Sequence, residues 1–282
     1  EGVTIVVDSG LRRVPVYEPG TGLSTLATTR VSRAGADQRR GRAGRTAPGT
    51  AIRLWNEGQT AALAPFDTPE ILAADLAGLV LDLASWGVTD PASLRFLDPP
   101  PVPAWTEAVA LLQALDALDG TGHITATGKA LARLPLHPRL AHMVHAGAAE
   151  GDESTAALLA VLVSERGLGG DGTDLAHRLD RFRTDQSPRA REARDLARRW
   201  AAQENREKSV GILPASRHLA RAFPDRVAQG VGGGKFRLVN GRQASLDPTD
   251  ALVHQAFLVV TDITGAAGNS RIRAAAALDR AD

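Results

Sequence analysis

The sequence predicts a multidomain protein of mixed α/β and α class that ends in a small β-rich module, and three observations carry that prediction. Short apolar runs flank an arginine-dense stretch in the first 60 residues. Helical spacing of apolar residues dominates from about 67 to 205, and strand-like runs around an Asn-Gly pair return after 211. With 282 residues, 43% hydrophobic and 23% charged, the chain can bury a sizeable core in one to three compact units, and its composition is not that of a disordered polymer.

Val3-Thr4-Ile5-Val6-Val7 is an apolar run that stops at Asp8-Ser9-Gly10, as a buried strand stops at a turn. A chain opening inside a sheet leaves that strand's edges uncovered, so further sequence is expected upstream. Val14 and Val16 lead through Glu18-Pro19-Gly20-Thr21-Gly22 into Leu23-Ser24-Thr25-Leu26, the pattern of a projecting hairpin. Thr50 to Trp55 reads as another strand, which makes residues 1–66 the tail of an α/β lobe.

Asp67-Thr68-Pro69-Glu70 is a helix-start signature, and Ile71, Leu72, Leu76, Leu79, Val80 and Leu83 continue one helix to a stop at Gly87. A proline cluster at 99–103 precedes Trp105, Val109, Leu112, Leu115 and Leu118, a second amphipathic helix expected to run to Gly120. A short β segment at His123–Thr125 follows, with Thr127 as cap of a helix over Gly128–Leu134. Residues 67–138 therefore have the order of a winged helix. Residues 139–210 read as helical, interrupted by glycines at 167–172 and resumed by a long helix that Ser187-Pro188 opens. In 211–282, Lys235–Val239 and Arg242–Leu246 around Asn240-Gly241 predict a hairpin, with further strands at Phe257–Asp262 and Ser270–Ala277.

No apolar run approaches the roughly 20 residues of a membrane-spanning helix, and the N-terminus is not a signal peptide, so a cytoplasmic protein with no membrane partner is expected. The absence of cysteine excludes disulfides, thiol catalysis and cysteine-ligated zinc. The net charge of +1 hides a clustering of arginine at 30–53 and 178–206, while lysine occurs only at 129, 208 and 235. Arginine's planar fork suits phosphate, although a GC-rich coding sequence enriches arginine as well.

Gln38-Arg39-Arg40-Gly41-Arg42-Ala43-Gly44-Arg45 is the sharpest feature. Glycines at 41 and 44 permit close approach of backbone to a phosphate chain, and Arg42 and Arg45, three apart on a helical turn, project towards one anion. Guanidinium groups so placed stabilise charge on a transferred phosphoryl group, an effect on the order of 10³ to 10⁵ in rate.

This octad is similar to motif VI of superfamily 2 helicases in the Q-R-x-G-R-A-G-R form of the DEAH/RHA group. Val6-Val7-Asp8-Ser9-Gly10-Leu11-Arg12 resembles the strand that follows motif V, and 14–31 resembles the group's strand-separating hairpin, in which Val16, Tyr17, Glu18 and Leu23 would form a wedge. Pro69-Glu70-Ile71, Leu97-Asp98-Pro99-Pro100-Pro101 and Leu134-Pro135-Leu136-His137-Pro138 resemble the group's winged helix and the entry to its helical ratchet. Phe223-Pro224-Asp225-Arg226-Val227-Ala228 and Phe236–Arg242 are similar to the bacterial HrpB branch. The resemblance implies a partial RecA-like lobe, a winged helix, a ratchet bundle and a β-rich end. It also implies Gln38, Gly41, Arg42 and Arg45 at ATP with Arg42 and Arg45 catalytic, Mg²⁺ as cofactor, and monomeric action on single-stranded RNA with stepwise 3′ to 5′ movement.

The chain departs from the full pattern in having no G-x-x-x-x-G-K-[ST] loop; Gly230-Val231-Gly232-Gly233-Gly234-Lys235 has the wrong spacing and Phe236 where a hydroxyl residue is needed. Most ATP and Mg²⁺ ligands are therefore expected upstream, and this chain alone is not expected to hydrolyse ATP. A non-catalytic nucleic-acid-binding adaptor that keeps the scaffold is the alternative. No metal site is expected: Asp152-Glu153-Ser154-Thr155 lacks the histidine of an acidic box, and His137, His142 and His145 lack a further ligand at suitable spacing. Arg189, Arg191, Arg194, Arg198, Arg199 and Arg206 interleave with Glu192, Asp195, Glu204 and Glu207, as on a solvated, salt-bridged helix rather than a phosphate track.

Overall fold

The computed structural model describes residues 2–18, 23–204, 212–265 and 270–279. The chain divides into two compact units: residues up to 18, 24–75 and 95–101 form one, and essentially all the rest form the other.

In the first unit, β1 (Ile5–Asp8) pairs in parallel with β4 (Thr50–Arg53), in register Ile5 with Thr50 through Asp8 with Arg53. The chain between them makes the β2 (Leu11–Glu18) and β3 (Leu23–Arg30) hairpin and then helix α1 (Arg33–Ala43). The hairpin tip expected at 19–22 lies outside the described residues. Gly10 turns β1 into β2 at φ +73°, with the Trp55 ring where a Cβ would stand, 2.9 Å away. Ile5, Val7 and Ile52 remain exposed, so one face of this strand pair is apolar and open. Helix α2 (Glu57–Ala61) starts with a capping box between Asn56 and Gln59.

The single helix expected from residue 69 is broken. A 3₁₀ turn at Glu70–Leu72 ends at Ala73, and α3 (Ala77–Ser85) starts afresh. The carbonyl of Ala73, which a continuous helix would use internally, instead accepts from the Tyr17 backbone N–H at 2.9 Å.

In the second unit, α4 (Val102–Ala114) also ends earlier than expected. Asp116 takes a left-handed φ of 54°, and the Ala117 N–H reaches back to the Leu112 carbonyl at 2.8 Å, a Schellman-type stop. Leu115 and Leu118 are buried beyond that stop. A bridge between Leu118 and Ile124 then makes a narrow wing before α5 (Ala126–Leu131). The cap of α5 is Thr125, whose Oγ accepts from Gly128 N at 2.9 Å; Thr127, expected to cap, donates to Asp116 Oδ2 instead.

Helices α6 (Pro138–Ala149), α7 (Glu153–Ser164), α8 (Leu175–Thr184), α9 (Pro188–Glu204) and α10 (Ala215–Ala222) follow. Met143, Val144, Leu159, Leu162 and Leu219 are fully buried among them, each worth about 1.5–3 kcal/mol by transfer from water. Gly147 lets α6 approach closely, since a Cβ there would lie 2.7 Å from Ala156 Cβ. Ser187 caps α9 by accepting from Ala190 N, as Ser-Pro predicts. The glycines at 167–172 are more than an interruption. They wrap the α8 backbone so tightly that a Cβ on Gly169 would sit 2.1 Å from the Arg178 carbonyl oxygen.

The last strands close a barrel in the order β5-β6-β7-β9-β8, formed by Val227–Gly232, Lys235–Leu238, Gln243–Ser245, Arg271–Ala277 and Phe257–Thr264 respectively. The β7–β9 contact is parallel and the other pairings are antiparallel, the arrangement of an OB-fold. Phe236, Leu238, Leu258, Val260 and Ala275 fill its interior. The expected Asn240-Gly241 hairpin joins β6 to β7, yet Gly241 alone is left-handed, at φ +83°, and Gly241 N bonds the Leu238 carbonyl. That is a three-residue loop with a glycine bulge rather than a two-residue mirror-image turn. Helix-borne chain joins the barrel too: Ala275 N donates to the Thr173 carbonyl at 2.9 Å, and Asp174 bridges Ala275 in parallel.

Candidate functional site

Helix α1 carries most of the arginine octad, and its position follows from local chemistry. Ser32 caps it by accepting from Gly35 N at 2.9 Å, and Val31, Ala36 and Leu63 pack beneath it with Trp55 beside them. The exposed side of the helix is left to Gln38, Gly41 and Arg42.

The four arginines of the octad divide into two kinds. Arg39 Nη1 is held by the buried Asp8, 2.7 Å from Oδ1, and by the Leu11 carbonyl at 3.1 Å. Arg40 lies 3.9 Å from Asp37, which Arg53 grips at 2.7 Å. Arg42 and Arg45, by contrast, have no carboxylate partner among the described residues. Both are exposed and, with Gly2, Val3 and Thr46, line one depression of about 310 Å³. Asp8 and Asp37 thus sort structural from available guanidinium groups, a division that the run of arginines does not announce.

One expectation about the octad is corrected. Arg42 and Arg45 do not share a helical turn: α1 ends at Ala43 with Gly44 as its C-cap, and Arg45 stands in the bend beyond. They meet because the chain turns at Gly44. At Gly41 and Gly44 a Cβ would meet nothing within 4 Å, so both leave room for a ligand beside the backbone, whereas the close pass within the fold is at Gly49, where a Cβ would strike the Ala43 carbonyl oxygen at 2.0 Å. The octad's glycines therefore leave open space beside the arginines, and the unremarked Gly49 brings α1 and β4 together. Gln38, one turn before Arg42, shares its face of α1.

Of the hairpin residues Val16, Tyr17, Glu18 and Leu23, only Tyr17 has a described side-chain environment, and it is half-buried. The acidic quartet serves as a cap, with Asp152 Oδ1 accepting from Thr155 N at the start of α7. Of the three histidines, His137 Nδ1 accepts from Arg139 N, and His142 Nδ1 lies 3.0 Å from the Arg221 carbonyl; burial holds the His142 ring below the usual imidazole range. On α9, Arg194 donates to the Phe182 carbonyl at 2.7 Å, Arg198 pairs with Asp195, and Arg189 lies 3.8 Å from Glu165. Arg206 and Glu207 lie outside the described residues, as does the side chain of Glu204.

Comparison with known proteins adds three findings. Residues 108–136, from the middle of α4 through the wing and α5, match the winged-helix model of the helicase-associated domain HA2. The chain is 38% identical over 260 residues to the ATP-dependent RNA helicase HrpB of Escherichia coli, covering 92% of this chain and 31% of that protein. It is 40% identical over 147 residues to the mouse probable ATP-dependent RNA helicase DHX34, covering 52% of this chain and 13% of the relative. Two crystal structures of E. coli HrpB superpose with TM-scores of 0.80 and 0.84 at 34% and 33% identity, over 99% of this chain and 34% and 35% of those chains. The chain thus spans about a third of the length of HrpB. Among the described residues no helix is long and apolar enough to cross a membrane.

Proposed function

From a chain that corresponds to the C-terminal region of HrpB-like DEAH/RHA helicases, we propose a part in an ATP-dependent RNA helicase that supplies arginine fingers to ATP hydrolysis. The observation that carries the proposal is the pairing of Arg42 and Arg45, unneutralised and side by side on one open depression. The residues present fit a phosphate: two free guanidinium groups, bare backbone at Gly41 and Gly44, and Gln38 one turn away on the same helix face. No cluster of three acidic or histidine ligands occurs among the described residues; in this reading a further lobe of the full-length protein would hold the metal and most of the nucleotide. ATP supplies the phosphoanhydride whose cleavage drives the cycle. Arg42 and Arg45 would stabilise negative charge on the γ-phosphoryl group as it passes from ADP to water, with Gln38 beside them.

In this reading residues 1–66 belong to a second RecA-like lobe, 67–138 to the winged helix, 139–210 to the ratchet and 211–282 to the barrel module. The exposed apolar face of β1 and β4 supports the first assignment, because the helices that flank a complete parallel sheet would cover it. The β2–β3 hairpin, with Val16, Tyr17, Glu18 and Leu23, parts paired strands, and the protein acts as a cytoplasmic monomer on single-stranded RNA. Arg39, held by Asp8, keeps α1 in register with β1 and takes no part in charge stabilisation.

The test is RNA-stimulated ATPase activity of the full-length gene product with Arg42→Ala and Arg45→Ala. Turnover falling by about 10² or more with nucleotide affinity retained is expected. Variants as fast as the parent would refute the finger assignment, and a full-length protein that never turns over ATP would favour a nucleic-acid-binding adaptor.

A further inference from the structure

Helix α1 lies against β1 and β4, and each strand sends one charged group to it. From β1, Asp8 takes Arg39 at 2.7 Å, and Arg39 also reaches the Leu11 carbonyl at 3.1 Å. From β4, Arg53 Nη2 donates to Asp37 Oδ1 at 2.7 Å. Successive residues of an α-helix point about 100° apart, so Asp37 and Arg39 stand about 200° apart, on opposite flanks of α1. Gln38 bisects them on the outward side, and Arg42, one turn later, points within about 40° of Gln38. Ala36, directed roughly opposite to Gln38, is buried. A roll of α1 about its axis in either direction therefore stretches one of the two bonds. Together they fix the direction of the face that carries Gln38 and Arg42, and Arg45 follows through the bend at Gly44.

The tether from β4 is itself held in place. The Arg53 guanidinium lies over the Trp55 ring, 5.5 Å from its centroid. That indole is pinned in turn, since Nε1 donates to Thr60 Oγ1 at 3.0 Å and the ring packs where Gly10 carries no Cβ. A planar guanidinium set between a fixed ring and a carboxylate presents its fork in one place. Arg40, 3.9 Å from the same Asp37 oxygen, competes only weakly for it. Asp37 is 56% exposed, so its pairing with Arg53 adds little to stability. What the pair supplies is direction.

We propose that Arg53, acting through Asp37, is a positioning residue for ATP hydrolysis: it sets the roll of α1 and thereby the aim of Arg42 and Arg45 at the transferring phosphoryl group. The assignment rests on the arginine-finger reading above. Neither Arg53 nor Asp37 touches the nucleotide in this arrangement. An error of aim costs rate rather than affinity, because contacts from guanidinium to the phosphoryl group gain most in the transition state.

The test is ATP turnover by the full-length gene product at saturating RNA. Arg53→Gln is expected to lower kcat about tenfold while KM for ATP stays near that of the parent. Affinity for ADP with aluminium fluoride, which imitates the phosphoryl group in transfer, should fall by a similar factor, and affinity for ADP alone should not. Asp37→Asn should give the same pattern. The double variant should be no slower than either single one, since all three lack the same contact. Arg53→Lys, which keeps the charge without the planar fork, should lie in between. Parental kcat in Arg53→Gln, losses that multiply in the double variant, or a rise in KM alone would overturn the proposal. Arg42→Ala, assayed alongside, separates the two readings. If it turns over ATP like the parent, the finger reading fails and positioning fails with it; a slow Arg42→Ala beside a fast Arg53→Gln refutes positioning alone.

Discussion

Arg139 donates to Asp225 through both terminal nitrogens, Nη1 to Oδ1 at 2.5 Å and Nη2 to Oδ2 at 2.9 Å. The arginine is 5% exposed in the first turn of α6, where the positive end of the helix disfavours a cation. Its partners offset that cost. Nη1 also reaches the Ala222 carbonyl at 3.1 Å, and the Arg139 and Arg226 guanidinium groups both lie over the Phe223 ring, 5.6 and 5.0 Å from its centroid. Arg226 in turn donates to the Thr261 carbonyl in β8 at 3.0 Å. The Phe223–Arg226 segment thereby binds α6 and α10 to the barrel. Because Asp225 is about a third exposed, Arg139→Ala should cost about 2–4 kcal/mol, below the full range for a buried pair. Arg139→Lys, which keeps the charge and loses the fork, should cost about 1–2 kcal/mol. Urea unfolding measures both, and a lysine variant as stable as the parent would refute the role of the fork.

Alanine at two nearby glycines should act in opposite directions. Gly41 lies within α1 with free space at its Cβ position, so Gly41→Ala should raise stability by about 0.5–1 kcal/mol through helix propensity. In the full-length protein it should at the same time slow ATP turnover, by placing a methyl beside Arg42. Gly49→Ala drives a methyl into the Ala43 carbonyl and should cost about 3 kcal/mol or more. Thermal melts of the two variants that shift in the same direction would contradict this picture.

Asp152 accepts from Leu213 N at 2.7 Å and from His218 Nε2 at 3.0 Å, and it caps α7 through Thr155 N. Burial pushes its carboxyl up, but the hydrogen bonds from His218, Leu213 and Thr155 together outweigh burial and hold it below the usual carboxylate range. A carboxyl with a depressed folded pKa contributes stability that is fully present above its unfolded value, about 3.9, and is lost as pH falls through the folded value. Asp152→Asn should therefore lower the urea midpoint at pH 7 and narrow its gap to the parent at pH 3. A gap that does not change with pH would show that the carboxylate's charge is not what matters.

The cap of α5 distinguishes two neighbouring threonines. Thr125→Ala removes the Gly128 cap and the 2.6 Å bond to the Asp116 carbonyl, and should cost about 1–2 kcal/mol. Thr127→Ala removes one exposed 3.2 Å contact and should cost less than about 0.5 kcal/mol. Equal losses in chemical denaturation would restore Thr127 as a cap.

These threonines also show where sequence reading stops. Features set by neighbours in the chain were legible: a strand near Val3–Val7, which forms at Ile5–Asp8 but with Val3, Ile5 and Val7 exposed rather than buried, the Ser187-Pro188 helix start, the Asn240-Gly241 hairpin and the arginine octad itself. The misread positions depend on a distant partner. Tyr17 takes the Ala73 carbonyl and breaks a helix that its apolar periodicity favours, and Leu115 and Leu118 keep helical spacing although the chain has already turned at Asp116. The same limit applies at the candidate site. The octad stands out as a pattern, but only Asp8 and Asp37, supplied by β1 and by α1 itself, reveal which of its arginines remain free.

The hydrogen bond from Ala275 to Thr173 bears on how this chain can be cut and recombined. Strand β9 draws on a segment about a hundred residues upstream, across an intervening α8, α9 and α10. A graft that takes only 227–279 leaves that bond behind, together with the Arg139 and Asp225 contact. The smallest portion that could be exchanged between related proteins with its wiring intact starts no later than α6, so evolutionary shuffling of the barrel would have to carry the helices with it.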